Sequence, residues 1–348
     1  MPMKGLFVLS LAALALSGSR AFAEFDVRLS EGTCAAAVVD LAAIRRLAPS
    51  AFGPMREGLL RYAERNPWAK DRTDRVLAKL DWWQPSAVVS KLRECGIGIE
   101  NLSWASVGMM NDVYWLPRRE ILTNRSFQVT LEGVDCEWDR ISKFAERKFA
   151  HVEKQRAFGV RHWNFSLYDA SSFGFAFSCT TGRCGRVYLS NGKRSAWDLY
   201  ESDEARDARY EGFGNLAAGE VARVAVVDFD ARLDWSSFEP CTFRDLLMQM
   251  PSDQETKVAV NRLNRAELSL FWRDGQVWAT LQLAFADEST VRDIVADVRK
   301  TEKELPFKMT IGHDGSRLVA ETGKYPAAEF FGTLGEGFLT EFVGLSFR

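Results

Sequence analysis

Histidine is scarce in this chain: among 348 residues there are only His151, His162 and His313. A triad or a histidine metal site therefore has little to draw on. There is no G-x-S-x-G elbow, no H-E-x-x-H, no G-x4-G-K-[ST] phosphate loop, and no G-x-G-x-x-G opening a helix after a strand. Cysteine pairs at zinc spacing are missing as well, because one C-x4-C with no second pair and no nearby histidine is poor zinc geometry. No metal and no cofactor is expected. Beyond residue 23 no apolar run reaches the roughly 20 residues that a membrane-spanning helix needs. A basic surplus is also lacking, with 45 basic against 47 acidic side chains and a net charge of −2, which disfavours nucleic acid as a partner.

What is present begins with an export signal over residues 1–23. Lys4 supplies the positive start, Leu6 to Leu16 the apolar stretch, and Ala21-Phe22-Ala23 a small-x-small cleavage site ahead of Glu24. No cysteine beside that site offers a lipid attachment point, so the mature chain is expected in the periplasm or secreted. The leader carries Lys4 and Arg20 and no acid, so its removal makes the mature chain more acidic. All six cysteines lie beyond the leader, and an even count in an exported chain favours disulfides. Cys179 and Cys184 enclose Thr180-Thr181-Gly182-Arg183 between strand-like runs, Phe173 to Ser178 and Arg186 to Ser190, which predicts a hairpin closed by its own disulfide. Cys34, Cys95, Cys136 and Cys241 allow three pairings, among which the sequence does not choose.

The rest of the chain falls into two halves of similar order. Ala35 to Leu41, ending in Val38-Val39-Asp40, is too short for a helix and β-branched enough for a buried strand. Val224 to Asp228 repeats its character 188 residues later. Leu102 to Val107 resembles Leu268 to Trp272, and each precedes another strand-like run, Phe127 to Leu131 or Val277 to Phe285. A helix from near Asp135 would align Trp138, Ile141, Phe144, Ala145 and Phe149, and one from near Asp287 would align Val291, Ile294, Val295 and Val298. Each Asp suits a helix N-cap. Asp274-Gly275 and His313-Asp314-Gly315 sit between alternating runs and predict hairpins. In the first half, Trp163 to Leu167 and Phe173 to Phe177 take the closing position, before an Asn191-Gly192 turn.

The expected fold is α+β, a tandem duplication of a β-α-β-β-α-β-β unit with mixed or antiparallel sheets and helices packed on one face. Residues 24–215 form the first copy and 216–348 the second, joined through a charged, glycine-containing connection over 193–219. The first copy is longer, through a helical stretch within 54–96 and a loop around 112–126. Extra residues on one copy of a duplicated fold are where function accumulates. The Val-Val-Asp-Leu run with its following helix, the Gly96-Ile-Gly-Ile-Glu-Asn-Leu stretch before a strand, and the strand-Asp-helix block resemble exported bacterial proteins of unknown function built from two α+β repeats. The resemblance implies a fold and carries no catalytic residue.

Of the histidines, His313 belongs to a turn, His151 to the end of the first helix, and His162 to a strand beside Trp163. Asp40 and Asp228 end equivalent strands and form the nearest thing to an acid pair, though an Asp after a buried strand ordinarily caps the next helix or turn. Eleven Trp and 24 Phe are mostly core. Two groups fit the core less easily. Trp82 and Trp83, adjacent on a helix, cannot both face one core. Tyr114 and Trp115 with Arg118 and Arg119 combine residue types enriched at interface hot spots. The sequence therefore points to an exported, non-enzymatic envelope binding or scaffold protein whose partner is an envelope protein or glycan, with these six residues as the binding surface. The alternative is a carboxylate-dependent hydrolase acting on polysaccharide or peptidoglycan, since two carboxylates suffice for that chemistry and leave no local motif.

Overall fold

The computed structural model describes residues 25–29, 32–71, 73–74, 77–78, 85–110, 114–116, 119–121, 126–148, 151–157, 160–168, 171–178, 185–190, 207–233, 241–242, 244, 261–301 and 307–338. Its backbone groups into two compact units, one of residues 1–45, 85–218 and 231–240, the other of residues 46–84, 219–230 and 241–348. The second unit thus begins at 219 and also takes in the 46–84 stretch that the sequence order alone assigns to the first copy.

In chain order the first elements are β1 (Thr33–Asp40), α1 (Leu41–Arg65), α2 (Pro85–Glu94), β2 (Ile97–Gly98), β3 (Trp104–Met110), β4 (Tyr114–Leu116), β5 (Arg119–Ile121) and β6 (Ser126–Cys136). Next come α3 (Trp138–Lys148), β7 (His151–Ala157), β8 (Val160–Tyr168), β9 (Ser171–Ser178) and β10 (Gly185–Ser190). The chain continues through β11 (Glu220–Val226), the short β12 (Arg232–Leu233) and β13 (Cys241–Thr242), β14 (Leu263–Arg273), β15 (Gln276–Phe285) and α4 (Glu288–Thr301). It closes with β16 (Met309–Asp314), β17 (Arg317–Thr322), β18 (Tyr325–Pro326), α5 (Ala327–Thr333) and a π-helical turn, Leu334–Phe338.

The first unit's strands run β1-β3-β6-β10-β9-β8-β7, each antiparallel to its neighbour. Val38 and Val39 are successive yet both buried, so β1 is covered on its two faces, which is why it reads as an unbroken apolar run. It hands over to α1 through Asp40, whose Oδ1 accepts the Ala43 N–H at 2.9 Å and satisfies one of the free donors of the first turn. The expected helix near Asp135 starts later, at Trp138. Asp135 stays in β6, where its Oδ2 accepts from Asn101 Nδ2 at 3.1 Å, while the Glu137 carbonyl takes the Arg140 and Ile141 N–H groups. His151 consequently opens β7 rather than ending a helix.

The second unit runs β11-β14-β15-β17-β16, again all antiparallel. Here the hairpin expectations hold. Asp274 (φ 52°) and Gly275 (φ 77°) both take the left-handed region, the two-residue turn whose twist matches that of the strands it joins. Cross-strand rows Ala266-Leu283-Leu318 and Leu281-Ala320 present one apolar face. Against it α4 lays Val291 and Val295 in a core completed by Phe229, Leu263 and Phe285. Each such side chain contributes about 1.5–3 kcal/mol on leaving water. Asp287 caps α4 as its sequence position predicts, taking the Thr290 N–H at 2.8 Å.

Elsewhere in this unit α1 meets the last described helical turns, over 327–338, backbone to backbone. A Cβ at Gly58 would lie 2.1 Å from the Gly332 carbonyl oxygen, and one at Gly335 would lie 2.2 Å from the Met55 carbonyl oxygen. Arg61 and Arg65 of α1 both pair with Glu336 across this contact. The observed class is α+β with antiparallel sheets and a few helices.

Candidate functional site

The segment expected as a loop around 112–126 contains a second small sheet. After β3 and β6 pair as far as Met110↔Ser126, the chain forms β4 and β5 with register Tyr114↔Ile121, Trp115↔Glu120 and Leu116↔Arg119. The connection is therefore a strand arm set between two paired strands. Its backbone carries Tyr114, Trp115 and Arg119. Arg118 lies outside the described residues, as do Trp82 and Trp83 and the cysteines Cys179 and Cys184. The hairpin that Cys179 and Cys184 were expected to close is present in its strands, since β9 and β10 pair with Ser178 opposite Arg186.

One described cluster of charge and aromatic rings is not announced by the sequence. Trp104 of β3, Glu132 of β6 and Arg186 of β10 form one cross-strand row. Arg186 Nε donates to Glu132 Oε2 at 2.6 Å, and Nη1 donates to Asp26 Oδ2 at 2.7 Å, on the segment ahead of β1. Its guanidinium stands 5.6 Å from the Trp104 ring centroid, on which Phe25 stacks at 5.2 Å. Burial lowers the Arg186 pKa, but hydrogen bonds to Glu132 and Tyr188 and the charge of Glu132 outweigh it and hold the group above its ordinary value. Two carboxylates are thus tied to one cation, which fastens the early segment to the sheet face. Asp26 and Arg186 are 160 positions apart, so no local pattern signals their meeting.

The other candidates resolve individually. Asp40 caps α1, and Asp228 Oδ1 accepts the Asp230 N–H at 3.0 Å in a turn of its own. Both carboxylates do the backbone work expected of an Asp after a strand. His313 is exposed in β16 opposite Leu318, one residue short of the turn. His162 is a β8 residue paired with Gln155 and Ala176. Cys34, Cys95 and Cys136 are thiols, Cys34 being buried with Sγ 3.2 Å from the Met109 carbonyl oxygen. No group of three or more His, Cys, Asp or Glu able to hold a metal ion occurs among the described residues. No helix among them is long and apolar enough to cross a membrane.

This geometry defines an antiparallel α+β protein with a strand arm and an ionic clamp. No protein-family model matches the chain, and no curated protein is significantly similar to it. Among solved structures it is similar to TP0453. Crystal form I of that protein gives a TM-score of 0.43 at 11% identity, covering 93% of this chain and 96% of that one. Crystal form III gives 0.42 at 12% identity, covering 93% and 97%.

Proposed function

We propose that this is an exported, non-enzymatic binding or scaffold protein of the cell envelope, made of two diverged copies of one α+β unit, which engages an envelope protein or glycan through the β4–β5 arm. The observation that carries the reading is the arm itself. The arm carries Tyr114, Trp115 and Arg119 on a two-stranded extension between β3 and β6, and residue types of this kind are enriched at interface hot spots. Duplication is supported by the winding order. In each unit three antiparallel neighbours come first (β1-β3-β6 or β11-β14-β15), then a helix. The strand after that helix lies at the far end of the order, and the chain returns to pair beside the third strand. The first unit differs by the added β8–β9 pair. Export to the periplasm or medium rests on the Lys4, Leu6 to Leu16 and Ala21-Phe22-Ala23 leader.

The test is capture of envelope extract on immobilised mature protein. Trp115→Ala with Arg118→Ala abolishes capture of the specific partner while leaving the melting temperature unchanged. Unaltered capture by the double variant removes the arm from the proposal. Release of reducing ends from polysaccharide by purified protein would instead favour the carboxylate-dependent hydrolase.

A further inference from the structure

Three of the four cysteines whose pairing the sequence leaves open, Cys34, Cys95 and Cys136, lie in the first unit. Cys34 sits in β1, 2% exposed, with its Sγ against the Met109 carbonyl. Cys95 and Cys136 are different. Both are only half-buried, and they stand at the two sides of one short strand pairing. Cys95 comes one position after the last residue of α2, and Cys136 is the last residue of β6. The two-residue β2 pairs Ile97 with Cys136 and Gly98 with Asp135. The residues next after the two cysteines, Gly96 and Glu137, are hydrogen-bonded to one another, the Glu137 N–H to the Gly96 carbonyl at 2.8 Å.

Gly96 keeps the two backbones close here. Its φ is +87°, and a Cβ there would stand 2.8 Å from Arg140 Cβ and 2.9 Å from the Glu137 carbonyl oxygen, so a side chain would push the Cys95 turn off the start of α3. A glycine here thus holds the Cys95 turn against the residues beside Cys136.

We propose that Cys95 and Cys136 are a redox pair that closes into a disulfide on oxidation, tying the end of α2 to the junction of β6 and α3. This stands on the strand pairing and is independent of the proposed binding role. The oxidant is a small disulfide such as glutathione disulfide. One thiolate attacks it, releasing one glutathione thiol and leaving a mixed disulfide. The second cysteine thiolate then displaces the other glutathione. Two protein thiols lose two protons and two electrons, one S–S bond forms, and the reagent leaves as two thiols.

The test is tryptic mapping of full-length protein after incubation with glutathione disulfide and alkylation. The expected product links the peptide 94–118, which contains Cys95 alone, to the peptide 126–140, which contains Cys136 alone. Reduction abolishes it. The bond encloses a long loop, so in urea the oxidised protein shows an unfolding constant for the first unit lowered on the order of 100-fold. Cys95→Ser and Cys136→Ser each lose the linked peptide and the oxidant-dependent stabilisation. Recovery of both cysteines alkylated after oxidation, their linkage to some other cysteine, or an unchanged urea transition overturns the proposal. Each of these is read on the unsubstituted chain, so a variant that folds poorly does not decide the matter.

Discussion

Replacing Gly58 by alanine adds one methyl group, and the structure says where it must go. The new Cβ would lie 2.1 Å from the Gly332 carbonyl oxygen, 3.1 Å from its carbon and 3.0 Å from the Glu336 nitrogen, all backbone atoms with no rotamer to escape into. Relief comes only by moving α1 and the last described helical turns apart by about 1 Å, a gap that forfeits a quarter to a half of each contact's attraction. At this crossing Leu59, whose backbone nitrogen would lie 3.1 Å from a Cβ on Gly335, is fully buried. Overpacking of this kind costs about 1–3 kcal/mol, and the Arg61 and Arg65 pairs with Glu336 are loosened with it. The expected loss is about 1–3 kcal/mol. Gly53→Ala is the internal control. It lies in the same helix with nothing within 4 Å of its Cβ. Its helix-propensity gain of up to about 1 kcal/mol is opposed by the following Pro54, which disfavours helical backbone before it unless that residue lacks a Cβ. Urea unfolding followed by tryptophan fluorescence and far-ultraviolet dichroism measures both. If Gly58→Ala unfolds at the same midpoint as Gly53→Ala, the backbone-to-backbone crossing is wrong.

Three further outcomes rest on the same kind of reasoning. Gly275→Ala, whose Cβ would meet nothing within 4 Å, isolates the strain of φ +77° and lowers stability by about 1–2 kcal/mol. Gly275→Asn recovers much of this, and equal unfolding midpoints for the two variants would argue against a left-handed turn. Arg186→Ala leaves Asp26 and Glu132 without their shared cation and destabilises by about 2 kcal/mol, between the exposed and buried limits because the side chain is 25% exposed. Arg186→Lys restores only part, since one ammonium does not reproduce two forked contacts, and protease cleavage near residue 26 reports release of the early segment. The Asp287 carboxyl is lowered to about 2, by the Ser289 hydroxyl first and then the Thr290 N–H. Because the folded value lies below the ordinary one near 4, its stabilisation is complete above about pH 4 and disappears as pH falls towards 2. Asp287→Asn, which still caps, flattens that acid limb; an unchanged acid limb would show that Asp287 does not contribute to it.

Much of the secondary structure was legible in the chain because it depends on neighbours in sequence. Asp274-Gly275 announces its hairpin because few residue pairs tolerate two successive left-handed conformations. The stripe Val291, Ile294, Val295 announces α4 because a 3.6-residue period brings these side chains to one core. The unbroken apolar run of β1 announces a strand buried on both faces, and Asp287 announces its cap. The expectation that missed shows the limit. Asp135 looks as good a cap as Asp287, but Asn101 draws it into β6, and α3 begins three residues later.

Tertiary structure alone decided the meetings between distant segments. The pairing of Arg186 with Asp26, the contact of Gly58 with Gly332, the strand arm carrying Trp115, and the pairing of Ile97 with Cys136 all depend on which surfaces the packed strands and helices bring together. Backbone propensity and hydrophobic period act over a few residues and are written locally. A contact across 160 residues has no local signature, because its energy exists only after the intervening chain has been ordered.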